Sequence, residues 1–105
     1  MKTFKTTLLT IAVLLCSISA SAYDFEVDGI FYKVLSTFEL TAEVTSGDIK
    51  YSGDVVIPGN VTYKGKILVV QGIAEETFYK CSDLKSVTIS NGITYIGAYA
   101  FCDCI

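Results

Sequence analysis

The chain has 105 residues, eight of them lysine and eleven acidic, with a formal net charge of −3 and no arginine, histidine or tryptophan. Those absences exclude Ser-His and Cys-His catalytic pairs, histidine-held metals, and a bidentate guanidinium clamp for phosphate or carboxylate. The length fits one small domain or part of one.

The first segment reads as an address. Met1 to Ala22 carries Lys2 and Lys5, then an apolar run from Leu8 to Cys16, then small residues at Ala20 and Ala22, the pattern of a secretory signal peptide. The run is about half the length of a bilayer span, so cleavage after Ala22 is expected, not retention as an anchor. Lipidation at Cys16 is the alternative; against it stands Leu15, where lipoprotein signals carry a small residue. Cleavage leaves 105 − 22 = 83 residues, with six lysines against eleven acids and a net charge of −5. That balance argues against nucleic acid and anionic membrane surfaces as partners. No second segment approaches membrane-spanning length.

From Tyr23 onward the apolar content is β-branched, with nine Val and nine Ile but four Leu, and the chain reads as strands and turns. Asp28-Gly29 is a two-residue hairpin turn whose central positions both need positive φ. It sets Val27 opposite Ile30, Phe25 opposite Tyr32 and Asp24 opposite Lys33. A third strand is expected around Glu39 to Thr45. Ser46-Gly47-Asp48 and Ser52-Gly53-Asp54 are turn chemistry, followed by Val55-Val56-Ile57 and the sole proline, Pro58. A second hairpin is expected from Val61 to Val70 around Lys64-Gly65.

An internal repeat organises the rest. Laying Val70–Ser82 over Ile93–Ile105, an offset of 93 − 70 = 23, sets Ile73 on Ile96, Ala74 on Gly97, Phe78 on Phe101 and Cys81 on Cys104. An earlier, degraded copy matches Val55-x-Ile57 with Val87-x-Ile89 at an offset of 87 − 55 = 32, the excess taken up by the second hairpin. A 23-residue period with Leu84-x-x-Val87-x-Ile89 lies in the leucine-rich-repeat range. Gly92 stands where the commonest repeat has asparagine or cysteine. The run Leu84-x-x-Val87-x-Ile89-x-x-x-Ile93-x-x-Ile96-Gly97-x-x-Ala100-Phe101-x-x-Cys104 resembles the BspA-like subclass, over about residues 54 to 105. The hairpin around Asp28-Gly29 looks like the short β leader that often precedes such repeats. The resemblance implies an extracellular or surface protein of the kind found in anaerobic gut and oral bacteria, some implicated in adhesion to host matrix proteins or other cells.

The expected fold is therefore mainly β with short helical turns. A signal peptide (1–22) and a β hairpin or meander leader (23–54) precede the start of a leucine-rich-repeat solenoid (55–105). Successive coils would stack strands about 4.8 Å apart. Leu84, Val87 and Ile89 would face inward, and Lys85, Ser86, Thr88 and Ser90 outward. Ile93, Ile96, Ala100 and Phe101 would close the core from the returning limb, with Gly97 admitting close backbone packing.

Cys81 and Cys104 occupy equivalent places in consecutive coils. Two readings stand: a disulfide between them, or a ladder of small buried thiols. Cys102-x-Cys104 is too tightly spaced for zinc and lacks a second pair. Asp24-x-Glu26-x-Asp28-Gly29 imitates the start of a calcium loop, but the twelfth position is Leu35. Gly59 and Gly65-Lys66 miss the spacing of a phosphate loop, and Asn60-Val61-Thr62 is a glycosylation sequon that matters only in a eukaryotic secretory pathway. Glu75-Glu76 beside Asp83 reads as a solvated face, and Tyr63, Tyr95 and Tyr99 as packing and rim residues. No metal or cofactor is expected.

These features point to a secreted or surface-displayed, non-enzymatic binding or adhesion module that recognises an extracellular protein or glycan through Lys85, Ser86, Thr88 and Ser90. One alternative is a fragment of a longer surface protein with no independent activity, whose last coil leaves an apolar edge open to self-association. A remoter one is a carboxylate-based hydrolase.

Overall fold

The structure is a computed structural model that describes residues 23–104. The expected signal peptide, its cleavage after Ala22 and lipidation at Cys16 lie outside the described residues. The leader is an antiparallel meander of β1 (Phe25–Val27), β2 (Ile30–Ser36) and β3 (Thr41–Thr45). Its first turn has the expected chemistry, with Asp28 and Gly29 at φ 53° and 83°. Phe25 pairs with Tyr32 and Val27 with Ile30, as that turn requires. Asp24 acts on the backbone: its N–H donates to Tyr32 O at 2.7 Å and its carboxylate accepts the Val34 N–H at 2.8 Å.

Beyond the leader lie β4 (Gly53–Ile57), β5 (Asn60–Tyr63), β6 (Lys66–Ile73), β7 (Leu84–Ile89) and β8 (Tyr95–Ile96). β5 and β6 form the second hairpin, with Lys64 at φ 52° and Gly65 at 78°. Both repeat offsets reappear as parallel strand pairs. β6 sets Gly72 beside Tyr95 and Ile73 beside Ile96, 23 residues apart. β4 sets Val55 beside Val87 and Ile57 beside Ile89, 32 apart.

Two sheets result. The larger has the order β1-β2-β3-β6-β5, with β8 also on β6; the smaller is β4-β7. β3 runs parallel to β6, Val44 beside Ile73, and so lays the rung that precedes the first coil. The large sheet curls until its edges meet, Phe25 of β1 stacking on Tyr63 next to the second turn, with ring centroids 4.0 Å apart. Between the sheets Tyr32, Val44, Ile57, Val70, Ile73, Phe78 and Cys81 are fully buried.

The helical spacing on the returning limb produces single turns, and no helix forms among the described residues. Tyr79 N–H bonds Glu76 O, Cys81 N–H bonds Phe78 O, and Cys102 N–H bonds Tyr99 O, each an i→i−3 closure. Helical propagation stops because Glu76 and Lys80 adopt φ near 60° and 57°. Tyr99 and Asp103, 23 residues later, repeat those angles at 58° each. The coils are also tied limb to limb: Glu76, Phe78 and Lys80 N–H groups donate to the carbonyls of Ala98, Ala100 and Cys102. Phe78 and Phe101 stack with centroids 5.1 Å apart and planes 10° from parallel.

Candidate recognition face

Alternation on the β4-β7 pair sorts side chains into core and surface. Val55 and Ile57 are buried, whereas Asp54 and Val56 look outward. Across the pair Asp54 meets Ser86, whose hydroxyl donates to Asp54 Oδ1 at 2.8 Å, and Val56 meets Thr88. A register shift between Gly53 and Asp54 leaves Lys85 as the extra residue on β7. Lys85, Ser86 and Thr88 are all exposed on β7, so three of the four expected face residues share one surface. Ser90 does not join them. The strand ends at Ile89, and the Ser90 hydroxyl is enclosed near Gly59 without a hydrogen-bond partner.

The sequence reading overlooked Asp54 and Val56. Val55-Val56-Ile57 breaks strict alternation, and that is the signal: an apolar residue on the outward phase of a strand faces water, and Val56 is 64% exposed.

The opposite limb carries a second cross-coil device. Tyr95 lies over Gly72 and donates its hydroxyl to Glu43 Oε1 at 2.6 Å. The row Glu43, Gly72, Tyr95 crosses β3, β6 and β8, and a Cβ at Gly72 would occupy the space of the tyrosine ring. Burial, then the Glu43 carboxylate, pushes the Tyr95 hydroxyl well above its ordinary pKa. Gly97 does what its position in the repeat implied, since a Cβ there would stand 2.5 Å from Glu75 N of the coil below.

Cys81, Cys102 and Cys104 are free thiols in this structure. Cys81 is buried and its pKa is raised by that burial, while the Cys104 thiol donates to Phe78 O at 2.7 Å. Glu75, Glu76 and Asp83 are exposed. In the calcium-like segment two carboxylates are committed to backbone: Asp24 to Val34 N–H and Glu26 to Gly29 N–H at 3.1 Å. Tyr63 stacks on Phe25, whereas Tyr99 stands at the exposed rim.

Comparison with known proteins agrees with this stacking. Residues 54–105 match the family model described as a BspA type leucine rich repeat region in six copies. No curated protein matches the chain. A leucine-rich repeat protein from Bacteroides ovatus is 31% identical with a TM-score of 0.71, covering 78% of this chain and 21% of its own. A leucine-rich repeat protein from Bacteroides capillosus shares 24% identity and a TM-score of 0.55, covering 77% of both chains. A leucine rich cell surface protein from Faecalibacterium prausnitzii shares 22% identity and a TM-score of 0.53, covering 83% of this chain and 30% of its own. The chain thus spans under a third of the length of the Bacteroides ovatus and Faecalibacterium proteins. Through residues 54–105 the chain belongs to the BspA-type leucine-rich-repeat family.

Proposed function

We propose that this chain is a non-enzymatic recognition module, exported and displayed outside the cell, that binds a protein or glycan through the outward face of β4 and β7. Export rests on the charged, apolar and small-residue pattern of residues 1–22, and the fold on a family of interaction repeats. The observation that carries the reading is the in-register pair of parallel rungs, which sets Asp54, Val56, Ser86 and Thr88 side by side with Lys85 at their edge. Hydroxyls, one acid and one cation around an exposed valine suit a polar, shallow contact. Residues 23–54 act in this reading as the cap that covers the first coil.

The test is a binding screen of the isolated protein against matrix proteins and surface glycans, with Thr88→Lys as the face variant. Binding of at least one ligand, weakened about tenfold or more by Thr88→Lys, is expected; no binding to any ligand overturns the reading.

A second reading concerns the coil that carries β8, where Ile96 is 50% and Phe101 39% exposed. This apolar edge supports self-association. Sedimentation of the same preparation should show mass rising with concentration, and a monomer throughout removes that reading.

A further inference from the structure

We propose that the cleft between the β1-β2 hairpin and β4 takes up an extended peptide segment of a partner protein, bearing lysine or arginine, as an added strand along β4. The proposal rests on the reading of the chain as a recognition module but uses the unpaired edge of β4, which shares Asp54 and Val56 with the outward face and none of its β7 residues. The cleft holds about 850 Å³, within the range of ligand sites, and its walls come from the hairpin, residues 49–52, β4 and β5. No β7 residue lines it. The cleft therefore opens on the side of β4 that its single pairing with β7 leaves free. Backbone donors and acceptors on a strand alternate between its two sides, so those of β4 not used by β7 point towards this space. β1 and β5, the two edges of the large sheet, border the same opening. An extended segment can satisfy such groups by strand addition, with neighbouring pockets reading its side chains.

Charge identifies the occupant. Glu26, Asp28 and Asp54 line the cleft against one cation, Lys50. The Lys50 ammonium is drawn away, donating to Tyr79 O at 2.9 Å on the turn beyond. What remains is a field that attracts positive side chains and repels negative ones. Ile49, 73% exposed, and Val56 supply apolar contacts beside the acids. An extended chain with apolar and basic residues in alternation matches both features.

The test uses a fluorescein-labelled alternating Val-Lys octapeptide as probe, read by anisotropy, with the Val-Glu octapeptide and a version carrying proline at alternate positions as comparators. The Val-Lys probe should bind and weaken as salt rises, with the Val-Glu and proline peptides at least tenfold weaker. Glu26→Gln with Asp28→Asn removes two charges yet keeps the Gly29 N–H acceptor and a favoured turn sequence; it should weaken the probe about fivefold or more. Amide shifts on titration should centre on Asp54, Val56 and Gly29–Phe31. Absence of binding, equal binding of the Val-Glu or proline peptide, an unaffected double variant, or shifts confined to Lys85–Thr88 would each overturn the proposal. None of these outcomes bears on the matrix and glycan screen, so the two readings fail separately.

Discussion

Tyr51 shows how one hydroxyl can join leader to repeats. It donates to Thr45 O at 2.6 Å and accepts the Phe31 N–H at 2.9 Å, both buried. Its ring lies between Phe31 at 5.8 Å and Phe78 at 4.9 Å. The residue thus satisfies two backbone groups at the end of the meander while packing on the first coil. Tyr51→Phe keeps the ring and strands both partners, so it should destabilise by about 1–3 kcal/mol. Urea unfolding followed by circular dichroism measures this. A change within error of zero would mean that water replaces the hydroxyl at both partners.

Stacked coils make the cost of a substitution depend on which rung it occupies. Phe78 has neighbours on both sides, Tyr51 below and Phe101 above, and is fully buried. Phe101 has one neighbour in this stack and faces water on the other side. Phe78→Ala should cost about 3–5 kcal/mol as a core truncation, and Phe101→Ala about 1 kcal/mol, because much of its ring is exposed already. Equal costs in a denaturation series would contradict the difference in burial between the two rings. This pair was legible beforehand, because a fixed offset between like residues becomes a vertical contact once strands run parallel. The repeat pattern by itself sets Phe101 on the same inward face as Phe78, whereas Phe101 is 39% exposed; only the reading of the chain as a fragment leaves an apolar edge open there. Ser90 was misplaced for a related reason: outward phase lasts only as long as the strand, which stops at Ile89. The part of β3 was hidden too. Val44 lies beside Ile73 at an offset of 73 − 44 = 29, a spacing shared by neither repeat, and no side-chain motif marks it.

Tyrosines distributed from leader to last coil give the fold a common response to alkali, which no local pattern announces because it depends on burial. Tyr32 is fully buried and pushed up to about 12, by burial first and Asp28 second. Burial raises Tyr51 further still, and Tyr95 is raised by burial and Glu43. In the unfolded chain each hydroxyl titrates near 10. Below that pH both states hold their protons and stability is complete. As pH climbs from about 10 towards 12, the unfolded chain releases protons that the folded one retains, so stability falls. One pKa unit is worth about 1.4 kcal/mol, which puts the Tyr32 share at about 2–3 kcal/mol by pH 12. Cys81, raised from 9.0 by burial, adds a loss of the same sign from lower pH. The urea midpoint should therefore drop between pH 8 and pH 11, and Tyr32→Phe should flatten that slope. A midpoint independent of pH over this interval would show that the phenol groups meet water in the folded state, and the closed inter-sheet core would have to be redrawn.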